Sequence, residues 1–199
     1  MLLWYNYSID MKDKNHSKNA LNADNQQERL KIENWIVGFT DGEGCFSVSI
    51  IKNKTTKSGW QIFPEFVITQ GLKSLPALEK IRDYFGCGNI FINKRYDNHN
   101  EHLYRFCVRS IKDLYEKIVP FFRKNSLLTA KKKDFQIFAG IVEMMIDEKH
   151  LSDKGMKIIA KRIEKMNRKK ISRFLESSET IRRTSINYRR RYSPDSIAI

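Results

Sequence analysis

The sequence predicts an α+β fold in which four strands form two antiparallel hairpins and helices pack on the sheet. The first observation is the order of the elements, α-β-β-α-β-β-α-α-α, which places the strands in two consecutive pairs joined by polar turns. The second is the alternation of apolar and polar side chains in the first strand, which is typical of a sheet with one buried face. The third is the apolar spacing of three to four residues in the remaining segments, which indicates amphipathic helices.

The first α-β-β unit occupies roughly the first third of the patterned chain. A helix is predicted over residues 27–40, with an apolar face of Leu30, Trp35, Ile36 and Phe39. Two glycines, Gly42 and Gly44, are expected to end it. Residues 45–53 and 60–70 are predicted strands, and the inward positions of the first are Phe46, Val48 and Ile50.

The second unit begins with a helix over residues 74–85, which Gly86-Cys87-Gly88 caps. Its inward positions are Leu75, Leu78, Ile81 and Phe85. Residues 89–95 and 102–109 are predicted to form the second hairpin around the turn 97–100. Three helices are expected to follow, over residues 112–122, 128–147 and 152–167.

This pattern predicts three segments along the chain. Residues 1–26 have no sustained periodicity and are expected to form a flexible extension. Residues 27–170 are expected to form the folded domain. Residues 171–199 are expected to form a basic, disordered tail.

The composition favours a globular protein that binds a polyanion. The chain has 199 residues and a net charge of +14, and residues 151–199 carry 14 Lys and Arg against 5 Asp and Glu. Such a segment is an electrostatic footprint for nucleic acid or an anionic membrane. No apolar run reaches the roughly 18 residues of a membrane-spanning helix, so we expect no membrane partner. Three cysteines without a C-x-x-C pair argue against a disulfide framework and a zinc site.

Two carboxylates stand where a helix dipole disfavours them. Asp41 and Glu43 follow the apolar end of the first predicted helix, and a helix C-terminus already carries partial negative charge. A cation must therefore lie opposite them. It could be a Lys or Arg from elsewhere in the chain, or Mg²⁺, which prefers oxygen ligands. A magnesium-binding carboxylate in a basic chain suggests chemistry on a polyanion.

The same residues carry a family resemblance. Gly38-Phe-Thr-Asp-Gly-Glu-Gly44, followed at once by the strand Cys-Phe-Ser-Val-Ser-Ile, closely resembles the signature of LAGLIDADG homing endonucleases. Further segments that resemble the family are 66–70, 78–88 and 120–135, so the resemblance covers roughly residues 31–170. It implies the homing-endonuclease αββαββα fold with additional C-terminal helices and an antiparallel four-stranded DNA-binding sheet.

The resemblance also implies roles for single residues. Glu43 would be the catalytic carboxylate that holds a divalent metal, with the Gly42 carbonyl as a second ligand. The cofactor would be Mg²⁺ or another divalent cation such as Mn²⁺. Gln70 would lie near the attacking water, and Lys131 would be the active-site lysine that stabilises charge on the phosphate. The sequence leaves open which lysine of the run faces the phosphate: Lys131, Lys132 or Lys133.

The outward positions of the strands are expected to contact DNA. Their mixture of hydroxyl, amide and guanidinium groups suits the reading of base edges in a major groove. The predicted DNA-binding residues are Ser47, Ser49, Ile51, Asn53, Gln61, Phe63, Glu65, Val67, Asn93, Arg95, Arg105, Cys107 and Arg109.

One copy of the motif supplies one Glu43 per chain, whereas cutting both strands of a duplex requires two such carboxylates. The resemblance therefore implies a homodimer on a long, pseudo-palindromic double-stranded DNA site. The first helix would form the interface, where a glycine permits close backbone approach. Its residues would be Trp35, Val37, Gly38 and Asp41, of which Asp41 is also expected to cap or brace the turn.

Two other interpretations stay open at this point. A maturase of the same fold would bind intron RNA and assist splicing without cleavage. A degenerate member would bind DNA but no longer cut it, although an intact Glu43 and Gln70 count against this. The resemblance also implies that the protein acts in an organelle, with the mitochondrion favoured over the chloroplast.

Overall fold

Four strands form one antiparallel sheet in the part of the chain that the computed structural model describes, residues 25–56, 58–94 and 102–166. The strands are β1 (Gly44–Lys52), β2 (Trp60–Gly71), β3 (Asn89–Asn93) and β4 (Leu103–Val108), and they lie in the order β1-β2-β4-β3. Both predicted hairpins are confirmed, and antiparallel pairing of β2 with β4 joins them at the centre. The predicted turn 97–100, residues 1–24 of the predicted extension 1–26, Arg95 and the tail 171–199 lie outside the described residues. Residues 25 and 26, predicted as extension, are helical.

Six helices accompany the sheet within these ranges. They are α1 (residues 25–43), α2 (Leu75–Phe85), α3 (Ile111–Asp113), α4 (Val119–Lys124), α5 (Lys131–Ile146) and α6 (Asp153–Ile163). A π-type turn, Leu114–Ile118, joins α3 to α4 without a break, so the predicted helix 112–122 consists of three pieces. Among the described helices, none combines the length and the hydropathy that crossing a bilayer requires.

The inward face of the sheet carries an aromatic core. Phe46 of β1 stacks on Phe66 of β2 with ring centroids 5.0 Å apart, and the edge of Phe122 meets Phe46 at 5.2 Å. Phe135 and Phe138 of α5 complete this cluster from the helical side. Offset and edge-to-face pairs of this kind add to the free energy that area burial already contributes. The predicted inward positions of β1 therefore anchor the helices to the sheet.

The buried face of α1 differs from the predicted one. Ile36 is fully buried, as expected, but Leu30 and Trp35 are 48% and 36% exposed. The buried positions are instead Glu33, Ile36 and Thr40, spaced three and four residues apart along one stripe. The prediction was wrong here because it assigned the core face by hydrophobicity, whereas the chain buries a carboxylate and a hydroxyl on that stripe.

Glu33 is a buried carboxylate that ties α1 to two other helices. Its oxygens accept hydrogen bonds from Tyr84 Oη at 2.9 Å, from Lys124 Nζ at 3.1 Å and from Arg29 Nε at 3.2 Å. Burial by itself raises the pKa of the Glu33 carboxyl, but the bonds from Tyr84 and Lys124 outweigh it and lower that pKa below the ordinary value. A charged Glu33 therefore holds the first half of α1 against α2 and α4.

The α2–β3 connection depends on a glycine with two constraints. Gly88 has a φ of +81°, and a Cβ there would lie 2.7 Å from Phe106 Cε2 and 2.9 Å from the Cys107 carbonyl oxygen. Gly86, the left-handed C-cap of α2, has a φ of +56° but open space around its missing Cβ. A Cβ at Gly86 would therefore meet backbone strain alone, whereas a Cβ at Gly88 would meet both strain and steric overlap.

We expect Gly88→Ala to lower the free energy of unfolding by about 3 kcal/mol, because strain and overpacking add. Gly86→Ala, which meets backbone strain alone, should cost about 1 kcal/mol. Urea denaturation followed by circular dichroism measures both. Equal losses for the two variants would contradict the proposed overlap with Phe106 and Cys107.

Candidate functional site

The C-terminus of α1 is capped by a lysine from α5. Lys131 Nζ donates to the carbonyl oxygens of Thr40 at 3.1 Å, Asp41 at 2.8 Å and Gly42 at 2.8 Å. These are orphan carbonyls of the last helical turn, and a cation at this end of a helix is favoured by the dipole. Lys131 is therefore the cation that balances the C-terminus of α1, close to Asp41.

This contact distinguishes among the three consecutive lysines. Lys131 is partly buried at the end of α1, whereas Lys132 and Lys133 are exposed. Lys132 lines a cleft beside Phe122 and Arg123, away from the α1 carbonyls. An ammonium group has three protons, and Lys131 has three carbonyl acceptors, so in this arrangement it acts as a helix cap. Contact with a phosphate would require it to release one of them.

Asp41 braces the segment that precedes α5. Its carboxylate accepts hydrogen bonds from the Leu128 amide at 2.7 Å, from Thr129 Oγ1 at 2.7 Å and from the Thr129 amide at 3.3 Å. Burial alone raises the pKa of the Asp41 carboxyl, yet the Thr129 and Leu128 hydrogen bonds, with Lys131 nearby, lower it below the ordinary value. The expected bracing role agrees with this geometry, and both oxygens are used within the chain.

Glu43 is the exposed carboxylate of the motif. It is the last residue of α1, and its side chain makes no hydrogen bond or ion pair with the described part of the chain. The neighbouring Gly42 carbonyl faces the same end of the helix. A carboxylate and a carbonyl are the hard oxygen donors that Mg²⁺ and Mn²⁺ take. Within the described ranges no three His, Cys, Asp or Glu side chains form a metal cluster, so a cation here needs further ligands.

Gln70 lies beside this end of α1. In the sheet register Gly44 pairs with Ile68, so β2 continues for three residues past the start of β1. Gln70 stands in that overhang opposite Tyr104 of β4 and is partly buried. The register thus places Gln70 near Gly42 and Glu43, at the end of the sheet where α1 leads into β1.

The outward face of the sheet carries most of the predicted DNA-binding residues. Ser49 pairs with Phe63, Ser47 with Glu65, and Asn93 with Leu103, which keeps the odd-numbered positions of all four strands on one side. The exposed or partly buried predicted residues on this face are Ser47, Ser49, Ile51, Gln61, Phe63, Glu65, Asn93, Arg105 and Arg109. Asn53, one residue beyond β1, donates its Nδ2 to Gln61 Oε1 at 2.9 Å.

Glu65 organises the centre of the outward face. Its carboxylate accepts hydrogen bonds from Arg105 at 2.5 Å and from Arg109 Nε at 3.1 Å, while Ser47 Oγ donates to it at 3.4 Å. Two guanidinium groups therefore share one carboxylate, which leaves a net positive charge at the middle of the sheet. Each guanidinium has five N–H donors, more than Glu65 takes.

Two predicted DNA-binding residues are corrected. Val67 and Cys107 occupy outward positions, as their register implies, but they are only 7% and 2% exposed. They pair with each other at the middle of the twisted sheet, and the Cys107 thiol donates to Glu65. Small side chains at this position lie beneath the longer arginines and cannot reach a ligand.

One aromatic residue on this face was missed. Phe91 of β3 is 47% exposed, and its ring centroid lies 5.7 Å from the Arg109 guanidinium. Phe63 lies 5.2 Å from the same group, so Arg109 contacts two aromatic rings. The alternation of the strand places Phe91 on the same face as Asn89 and Asn93. The prediction for this strand included polar and basic residues only.

Of the four residues predicted at the dimer interface, Gly38 is open to solvent, and the other three contact residues of their own chain. Gly38 is exposed, and no heavy atom lies within 4 Å of the place where a Cβ would be. The ring centroids of Trp35 and Phe39 lie 5.3 Å apart, and Lys80 Nζ lies 5.7 Å from the Trp35 ring centroid. Val37 is partly buried against the core, and Asp41 is engaged with Thr129. The Gly38 side of α1 thus has room for another backbone.

Comparison with known proteins yields a family model and several relatives. The model described as LAGLIDADG endonuclease matches residues 36–142. "Probable intron-encoded endonuclease 2" of Neurospora crassa is 37% identical over 134 residues, which are 67% of this chain and 28% of that protein. "Probable intron-encoded endonuclease Cox1-I1b" of Schizosaccharomyces pombe is 32% identical over 146 residues, 72% of this chain and 36% of that one. The chain thus spans about a third of the length of these relatives.

Solved structures share the fold. The homing endonuclease I-TnaI superposes with a TM-score of 0.62 at 35% identity, covering 78% of this chain and 96% of that one. I-SmaMI bound to cleaved DNA superposes with a TM-score of 0.62 at 31% identity, covering 76% of this chain and 47% of that one. The described strands and helices therefore correspond to nearly all of the first structure and to about half of the second.

We expect Asp41→Ala to lower the free energy of unfolding by about 1–2 kcal/mol at pH 7, because Leu128 and Thr129 lose their acceptor. The folded pKa of Asp41 lies below the unfolded value of about 3.9, so this contribution is present above that pH. It is lost as the pH falls through the folded pKa. Urea titrations at pH 7 and at decreasing pH should therefore show the two proteins converging in acid.

The exposed Asp83, which pairs with Arg82 on α2, supplies the control. Asp83→Ala should change stability by less than about 0.5 kcal/mol at any of these pH values, since exposed ion pairs contribute little. A difference between wild type and Asp41→Ala that persists unchanged in acid would show that the charge of Asp41 is irrelevant to the brace.

Proposed function

The chain belongs to the LAGLIDADG endonuclease family, and from that membership we propose that it is a site-specific endonuclease that hydrolyses phosphodiester bonds in double-stranded DNA. The observation that carries the proposal is the exposed carboxylate of Glu43, which has no partner in the described chain. It lies at the end of a sheet whose outward face bears two arginines. The oxygens of Asp41 and Glu33 are engaged within the chain, whereas those of Glu43 are available to a ligand.

The residues at the end of α1 suit divalent-metal hydrolysis. Glu43 and the Gly42 carbonyl would hold Mg²⁺ or Mn²⁺, since both offer hard oxygen donors. When bound, the cation would activate water and neutralise charge at the scissile phosphate. Gln70 can orient a water molecule through its amide, which both donates and accepts hydrogen bonds. Lys131 would hold Gly42 in place and add positive charge near the phosphate.

One Glu43 per chain supports assembly of two copies. Cleavage of both strands needs two such carboxylates, and the open Gly38 side of α1 would allow two helices to approach closely. A two-fold axis through this contact would place the two sheets on neighbouring half-sites of a pseudo-palindromic target.

The outward face of the sheet would read the target. Arg105 and Arg109 offer guanidinium groups of the type that bind guanine edges, and Ser47, Ser49 and Gln61 offer shorter polar groups. Phe63 and Phe91 would limit the motion of Arg109. Relatives named as intron-encoded, one of them after a Cox1 intron, support a mitochondrial site of action.

We predict that Glu43→Gln abolishes cleavage and leaves DNA affinity within about threefold of wild type. The amide keeps the shape of the side chain but not the charge that holds the cation. The target is obtained first, by selecting bound and cleaved sequences from a randomised duplex library. Cleavage in Mg²⁺ or Mn²⁺ and binding in Ca²⁺ are then measured on the selected duplex.

Glu79→Gln serves as the matched control, because Glu79 is an exposed glutamate on α2 that is not part of the site. It should cleave at the wild-type rate. Normal cleavage by Glu43→Gln would refute the assignment of the metal site. Binding of intron RNA and assisted splicing, without scission of any duplex by the wild type, would indicate a maturase instead.

We further predict that Gly38→Leu converts the dimer to a monomer and removes double-strand cleavage. A branched side chain at this position would separate helices that pack backbone to backbone. Sedimentation velocity and light scattering measure the mass. Lys112→Leu, which adds the same side chain at an exposed site on α3, should remain dimeric and active. A dimeric, active Gly38→Leu protein would place the interface elsewhere.

A further inference from the structure

The exposed side of α6 carries a row of lysines. Lys154, Lys157 and Lys161 lie on the helix and Lys165 lies in the turn that follows, all of them exposed. At 3.6 residues per turn, these four positions fall within an arc of about 80°. We call this set the α6 lysine row.

No lysine of the α6 lysine row is in an ion pair with a described residue, and one carboxylate, Glu164, lies close enough to Lys161 for their charges to interact. None of the four ammonium groups forms a hydrogen bond or an ion pair with the described residues, whereas Lys117, Lys124 and Lys149 each pair with a carboxylate. Like charges three and four residues apart destabilise a helix. Lys154 also stands in the first turn, where the helix dipole disfavours a cation. The Asp153–Lys157 spacing of four residues and the position of Lys161 in the last turn of α6 offset part of this cost.

The row faces away from the outward face of the sheet. Met156, Ile159 and Ile163, on the opposite side of α6, are buried in the core that also contains Phe46 and Val48 from the inward face of β1. A duplex lying on the outward face would be separated from the α6 lysine row by the sheet and this core. The α6 lysine row and the outward face of the sheet therefore lie on different sides of the core.

The same burial argues against a membrane as the occupant. A helix that binds at a bilayer surface inserts its apolar face among the lipids. The apolar face of α6 is already used, since Met156 and Ile159 are 2% and 0% exposed. What remains available is a row of point charges, and this complements a regularly charged backbone.

We propose that the α6 lysine row binds the phosphate backbone of a second DNA duplex while the sheet holds the first. Lysines without pre-organised partners neutralise phosphates and release counterions without reading sequence. A protein with two such surfaces can pass from one DNA segment to another without first dissociating into solution. The inference goes beyond the proposed cleavage and requires only that the sheet binds DNA.

The experiment measures capture of one duplex by another. The full chain is loaded at a stoichiometric amount on an immobilised duplex, and a fluorescent duplex of unrelated sequence is added. Two variants are compared with wild type: Lys→Gln at all four positions of the α6 lysine row, and Lys→Arg at the same positions. Gln and Arg are both good helix formers, so α6 should stay folded in each.

We expect the Lys→Gln variant to capture at least about tenfold less of the second duplex, and its affinity for the first duplex to change by less than about threefold. The Lys→Arg variant should capture as wild type does, because the charge remains. Undiminished capture by Lys→Gln, or equal loss in both variants, would overturn the proposal. So would capture of a fluorescent RNA of the same length but not of DNA.

The result is independent of catalysis. If the wild type cleaves its selected target yet never holds a second duplex, the inference fails and the proposed function stands. If the wild type holds two duplexes but cuts neither in Mg²⁺ or Mn²⁺, the inference stands and the endonuclease proposal fails.

Discussion

The ammonium group of Lys131 at the end of α1 is the contact on which the arrangement of the candidate site depends. Without it, three orphan carbonyls and two carboxylates would concentrate negative charge at one helix terminus. With it, Asp41 can hold the Leu128–Thr129 segment, and α5 begins where α1 ends. The cap therefore determines where Glu43 emerges from the fold, relative to the sheet as well as to α5.

The two faces of the sheet have different structural roles. The inward face uses aromatic packing around Phe46 to join the helices to the sheet. The outward face uses Glu65 to keep Arg105 and Arg109 together, although two like charges repel each other. A single carboxylate lowers that repulsion and still leaves a positive surface. Sheet register alone assigns each side chain to its face.

Strand pattern predicted more of this molecule than helix pattern did. Alternation around Phe46 and Val48 was sufficient to assign the two faces of β1, because a strand has only two faces. The core face of α1 was mispredicted because its buried stripe includes Glu33, which has partners on distant segments, and Thr40, whose hydroxyl has no hydrogen-bond partner among the described residues. The choice of Lys131 over its neighbours depends on the packing of α5 against α1, which no local pattern contains.

Helix α1 is held to the rest of the fold near its start, through Glu33, and at its end, through Asp41 and Lys131. None of these contacts uses a side chain from the outward face of the sheet. Substitutions among Ser47, Ser49, Gln61 and their neighbours can therefore accumulate without moving the carboxylate at the end of α1. A lineage built on this plan can therefore vary the outward face of the sheet while the end of α1 stays unchanged.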